Sequence, residues 1–144
     1  MGKRVKDTMT AEVKTATPSQ SLTDAAKLMK QEDVGSVPVV DGERLVGVLT
    51  DRDIVVRGIA DGSDPNAVKV GDIASHDVVT VRPDDDLDEA LRLMAQHQVR
   101  RLPVVDDGQL VGVVAQADVA LEAKEKKVGE TVEEISKPAS TAAN

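Results

Sequence analysis

An α+β fold made of two copies of one unit is what this 144-residue sequence predicts, and three observations predict it. Sliding the chain along itself by 65 positions pairs residues 5–55 with 70–120 without a gap, and 20 of those 51 pairs are identical. Within each copy, apolar runs of strand length flank one stretch with helical spacing, so the unit reads strand, helix, strand, strand, helix. Phe, Tyr and Trp are absent, so the core of either copy must be filled by Val, Leu, Ile, Ala and four Met. A unit of about 60 residues buries a modest fraction of its surface, and two units packed about a pseudo-two-fold bury more.

In the first unit Val13 to Thr17 predicts a short strand closed by Pro18. Ser21-Leu22-Thr23-Asp24 fits a capping box, after which Leu22, Ala25, Ala26 and Met29 share one helical face. The second unit repeats this with Asp86-Leu87-Asp88-Glu89, then Ala90, Leu91, Leu93 and Met94. Val37 to Val40 and Leu102 to Val105 predict strands whose early Pro sits at an edge or first position. Turns at Asp41-Gly42 and Asp107-Gly108 lead to strands Leu45 to Leu49 and Leu110 to Val114. A final helix starts at Thr50 in one unit and near Ala115 in the other. The expected domains are 3–62 and 68–125, joined by the turn-rich Asp61 to Asn66, with 126–144 as a short C-terminal helix (apolar face Val128, Val132 and Ile135) and a disordered tail.

Composition excludes several functions. With 18 basic against 26 acidic residues the net charge is −8, which disfavours nucleic-acid partners, and no aromatic residue can stack on a base. Absence of Cys removes disulfides, thiolate metal sites and Cys nucleophiles. No window approaches a membrane span and no apolar segment follows the basic N-terminus, so a soluble cytoplasmic protein is the simplest reading. Glycine-rich phosphate loops, nucleophile elbows and acid–base pairs do not occur, which argues against an enzyme.

The paired Leu-Val-Gly-Val runs end alike. Gly47, Thr50 and Asp53 form a Gly-x-x-Thr-x-x-Asp pattern, repeated as Gly112, Ala115 and Asp118, and each copy carries an apolar strand with Pro at Pro38 or Pro103. On these motifs the chain resembles a tandem pair of CBS domains, also called a Bateman module, over residues 3–125. It is most similar to stand-alone bacterial pairs of the hypoxic-response kind. That resemblance implies a regulatory, non-catalytic protein, a link to energy or stress sensing, an adenine nucleotide (AMP, ADP or ATP) in the cleft between repeats, no required cofactor, a homodimer and an unidentified protein effector.

It also implies site roles. Thr50 would meet phosphate and Asp53 the ribose hydroxyls. Arg100 and Arg101 would reach across the pseudo-two-fold to the phosphate, while His76, Val78, Val79 and Pro103, with Val48 nearby, would wall the adenine. A second, weaker site would combine Asp118 with Gly35, Ser36 and Pro38, since Ala115 lacks the hydroxyl. Read without the family, Thr50-x-x-Asp53 is equally a helix cap, and Arg100 and Arg101 are equally surface partners for the Asp84 to Asp86 or Asp106-Asp107 runs. Asp84 to Asp86 suggests a divalent cation less readily than a helix start, and His76 and His97 lack metal-ligand spacing. The competing function is a ligand-independent dimeric scaffold with vestigial clefts.

Overall fold

The computed structural model describes residues 3–122, so the expected C-terminal helix and tail lie outside the described residues. The first repeat contains α1 (Leu22–Glu32), β1 (Ser36–Asp41), β2 (Arg44–Thr50) and α2 (Asp51–Asp53), which continues as a π-helical stretch, Ile54–Ile59. A short α3 (Val70–Ile73) leads into the second repeat, with α4 (Leu87–His97), β3 (Arg101–Asp106), β4 (Gln109–Ala115) and a helix over residues 116–122, here α5. Helices α1 and α4 bury Leu22, Ala25 and Met29, and Leu87, Ala90 and Met94; of the expected faces, Leu91 and Leu93 are half-buried and Ala26 is exposed. The mixture of helices with an antiparallel sheet is the expected α+β fold.

The sheet runs in the order β1-β2-β4-β3. Each hairpin pairs along its full length, but β2 and β4 meet only at Arg44 opposite Gln109. Two backbone hydrogen bonds hold that seam, Leu45 N–H to the Gly108 carbonyl (3.2 Å) and Leu110 N–H to the Glu43 carbonyl (2.9 Å). The two sheets are therefore nearly separate, each with its own aliphatic core.

Those cores do not follow the linear repeats. Val70, Ile73 and Ala74 open the second repeat yet pack in the first core with Leu22, Val39 and Leu49, while Val5, which opens the first repeat, packs in the second with Leu87, Val104 and Val114. The backbone repeats the arrangement residue for residue. Val70 N–H donates to Gln20 (2.8 Å) and Gly71 N–H to Pro18 (3.0 Å), as Val5 donates to Asp85 (2.9 Å) and Lys6 to Pro83 (2.9 Å). Ser75 then bridges Val48, and Thr10 bridges Val113, through reciprocal hydrogen bonds. The leading segments are exchanged between repeats.

The glycines of the duplicated motif permit this. A Cβ on Gly47 would stand 2.8 Å from the Ser75 carbonyl oxygen, and one on Gly112 2.8 Å from that of Thr10. Glycine lets the crossing backbone lie directly on the strand.

Two expectations change. The predicted strand Val13 to Thr17 is reduced to one parallel bridge, Ala16 beside Val39, as is its counterpart at Val81 beside Val104. The reason is that each segment arrives from the other repeat and spends only two hydrogen bonds on its own: Ala16 donates to Pro38 and accepts from Val40. Because Pro38 turns its carbonyl to this outer edge, its missing N–H costs no bond to β2. The second capping box also fails. Ser21 accepts from Asp24 N–H (3.1 Å), but Asp86 caps nothing and instead pairs with Arg4 (2.7 Å), which belongs to the exchanged segment. Lys6 likewise pairs with Asp84 (2.8 Å).

The exchange makes Val5→Ala and Val70→Ala distinguishable. Each removes about two methyl groups' worth of buried surface and should cost about 2 kcal/mol in denaturant unfolding. Hydrogen exchange should then rise at Val104 and Val114 for the first variant, and at Val39 and Leu49 for the second. The reverse pattern would refute the exchanged packing. Gly112→Ala should destabilise by roughly 1–3 kcal/mol through forced separation of the Thr10 segment from β4.

The same segment carries a pH signature. A hydrogen bond from Lys6 and its charge hold the Asp84 carboxyl below its ordinary value. A lowered carboxyl stabilises the fold above its unfolded pKa, and that contribution is lost as pH falls through the lowered value. Protection from exchange at Val5, relative to the intrinsic rate at each pH, should fall on acidification before protection at Leu49 does, by a small margin because the pair is exposed.

Candidate functional site

Strands β2 and β4 each pass straight into a helix. At the first, Thr50 and Asp53 form a reciprocal capping box: Thr50 Oγ1 accepts from Asp53 N–H and Asp53 Oδ2 accepts from Thr50 N–H, both at 3.0 Å. The box uses one carboxylate oxygen and one hydroxyl lone pair, leaving Asp53 Oδ1 and the Thr50 hydroxyl proton for another partner. At the second helix start Ala115 supplies no hydroxyl. There the helix is closed by backbone alone, Gln116 N–H donating to the Arg100 carbonyl (2.7 Å), as Asp51 N–H donates to Gly35 (2.9 Å).

Both helix starts open on one cleft of about 620 Å³ between the repeats. Residues expected at the two sites line one continuous space. Thr50, Asp53, Arg101, Val48, Val78, Val79 and Pro103 line it, and so do Asp118, Ser36 and Pro38. Gly35 and Arg100 do not, and His76 lines a different pocket. Arg100 is exposed and serves the α5 start through its backbone; His76 turns its Nδ1 to the Val46 carbonyl (3.0 Å).

Strand register fixes who neighbours whom. Ser36 stands opposite Thr50 and Arg101 opposite Ala115, so along the sheet each lies nearest its own repeat's helix start. Partnership of Arg101 with Thr50 requires its guanidinium to extend over the cleft. Among the described residues neither Arg100 nor Arg101 takes part in an ion pair, whereas Asp84 and Asp86 are taken by Lys6 and Arg4. The ion-pair reading of the two arginines through that acidic run therefore has no support.

Sequence reasoning missed the other crossing segment. Thr10, Glu12, Val13 and Lys14 line the cleft as Ser75, Asp77, Val78 and Val79 do, and Val34, Val99, Glu32 and His97 line it from the helix–strand loops. The signal was present, since these twelve residues fall into six pairs 65 residues apart, Lys14 with Val79 among them. Five carboxylates (Glu12, Glu32, Asp53, Asp77, Asp118) face two fixed cations, Lys14 and Arg101. Among the described residues no group of three or more His, Asp or Glu could hold a metal ion, and no helix is long and apolar enough to cross a membrane.

Known proteins share this architecture. The family model for the CBS domain matches residues 5–58 and again 70–125. The CBS domain-containing protein YhcV of Bacillus subtilis is 50% identical over 117 residues, covering 81% of this chain and 83% of its own. Hypoxic response protein 1 of Mycobacterium tuberculosis is 40% identical over 134 residues, covering 92% and 94%. Among solved structures, hypoxic response protein I with two coordinated zinc ions superposes with a TM-score of 0.77 at 41% identity, over 83% of this chain and 98% of that one. CBSX2 in complex with AMP gives 0.77 at 32% identity, over 88% and 99%. The CBS pair of MJ0100, in complex with 5′-methylthioadenosine and S-adenosylmethionine, gives 0.76 at 27%, again over 88% and 99%. Two matched repeats, an exchanged pair of leading segments and one cleft between them make this chain a member of the CBS domain family, built as a tandem pair.

Proposed function

We propose that the chain is a non-catalytic regulatory protein that binds an adenosine nucleotide in the cleft between its repeats. The observation that carries this reading is the convergence, on one cleft, of Asp53 with a free carboxylate oxygen, the Thr50 hydroxyl and the Arg101 guanidinium between walls of Pro and Val. A carboxylate accepts from both ribose hydroxyls, a guanidinium suits phosphate oxygens, and aliphatic walls take the adenine ring. That relatives of the same fold hold AMP, or methylthioadenosine and S-adenosylmethionine, supports an adenosine ligand here.

Charge narrows the choice. Five carboxylates against two fixed cations tolerate one phosphate better than three, so AMP is favoured over ADP and ATP. The half of the cleft at Asp118 lacks a hydroxyl donor at Ala115 and is the weaker half. Calorimetry on nucleotide-free protein should show AMP binding at least about tenfold tighter than ATP. Asp53→Ala should cost about tenfold or more in AMP affinity, consistent with loss of charge-assisted hydrogen bonds. Arg101→Ala should weaken AMP but leave adenosine nearly unaffected. If nothing binds below millimolar, or if Asp53→Ala combined with Arg101→Ala binds as the parent does, the reading is wrong.

A second reading, a scaffold independent of ligand, draws on an exposed apolar face. Val55, Val56 and Ile59 on the π-helical turn and Leu121 on α5 are 45–56% exposed, unusual for such side chains. We assign this face to a homodimer contact, which either reading can use. Val55→Glu with Ile59→Glu should shift the sedimentation coefficient to that of a monomer. A scaffold alone predicts thermal stability indifferent to AMP, whereas the nucleotide reading predicts a midpoint that rises with AMP concentration.

A further inference from the structure

Arg44 and His76 stand outside the cleft, and we propose that they form a second ligand site, for a phosphate-type oxyanion, at the seam between the repeats. Their pocket measures about 340 Å³ and shares only Val78 with the cleft. Three parts of the chain build it: the start of β2, the leading segment of the second repeat at His76 and Thr80, and the β3–β4 hairpin at Gly108.

Its charge is the inverse of the cleft's. No carboxylate lines it, and its ionisable members are Arg44 and His76, in a protein of net charge −8. Arg44 enters no ion pair among the described residues. Its guanidinium rests against Gly108, where a Cβ would collide with it, and that glycine also has φ +81. Glycine at the turn thus seats the guanidinium as well as making the turn.

His76 is oriented by the strand irregularity beside it. The β1–β2 register passes from Gly47 to Leu45, skipping Val46, and it is the Val46 carbonyl that meets His76 Nδ1. A carbonyl only accepts, so Nδ1 carries the proton and Nε2 is left for a ligand. Neutral, Nε2 accepts from a protonated oxyanion; protonated, it donates to one. The guanidinium fork can take two oxygens and the Thr80 hydroxyl a third. The space exceeds that of a bare phosphate, and Val46 and Val78 offer apolar surface to a substituent.

The duplication supplies the contrast. Sixty-five residues away, Arg44 becomes Gln109 and His76 corresponds to Ala11, so both cations occur in one copy and neither in the other. An anion here would touch both repeats across a seam held by two hydrogen bonds.

The test is an NMR titration of the full chain with inorganic phosphate and, separately, with ribose 5-phosphate, at constant ionic strength. Saturable shifts are expected at the Gly47 and Gly108 amides. Arg44→Gln and His76→Gln should each weaken the response at these two amides about tenfold. Tighter binding of ribose 5-phosphate would assign the site to a phosphate monoester, and equal or weaker binding to inorganic phosphate. Linear drift without saturation, saturable shifts that survive in both variants, or shifts at Thr50 and Ala115 alone would overturn the proposal. Nucleotide binding in the cleft is read independently with AMP, so failure here leaves that reading standing.

Discussion

Two backbone contacts without side chains hold the molecule's plan together: the Ser75 carbonyl on Gly47 and the Thr10 carbonyl on Gly112. Each lets a segment that belongs by sequence to one repeat complete the core of the other. A unit of about 60 residues exposes too much apolar surface for easy independence, and exchange answers that by making each core depend on both halves of the chain. Val5 and Val70, both fully buried, are the anchors at which this dependence is felt. The sheets contribute little to the joining, since β2 and β4 meet at a single residue pair.

The exchange also makes the cleft. After leaving β2 at Ser75, the chain must reach Val81 on β3, and after leaving β4 at Thr10 it must reach Ala16 on β1. Those two spans form the cleft walls, which is why Glu12, Val13 and Lys14 face Asp77, Val78 and Val79. A ligand held there contacts segments that each tie one repeat to the other. Occupancy of the cleft is therefore coupled to the relation between the repeats by covalent geometry, with no separate relay needed.

The duplication was legible at once, and with it the helices, the two hairpins and the helix starts at Thr50 and Ala115, because apolar spacing and capping chemistry are local. What the residues did not disclose is non-local. A run such as Val13 to Thr17 has strand composition, but it follows directly on a crossing from the other repeat at Thr10 and only Ala16 pairs with β1, so it forms one bridge where a ladder was expected. Asp86 has the residue type of a cap, yet Arg4, 82 positions away, claims its carboxylate. His76 was misplaced for a related reason: alternation along an extended segment decides which side of the sheet it serves, and the cleft takes its neighbours Ser75 and Asp77 instead. Applying the 65-residue offset to site residues as well as to elements would have found Val13 and Lys14.

Thr50 and Asp53 show how one pair can serve fold and ligand together. A capping box consumes half of each group's hydrogen-bonding capacity and fixes the orientation of the other half. Asp53 thus arrives at the cleft with one oxygen already held, so under the proposed function a ribose would meet a carboxylate whose rotamer freedom was spent in folding and not in binding. At the other helix start Ala115 has no hydroxyl to return, so the Asp118 N–H goes without its side-chain cap. Under the proposed function, unequal affinity between the halves would follow from that missing hydroxyl twice, as a lost cap and as a lost phosphate contact.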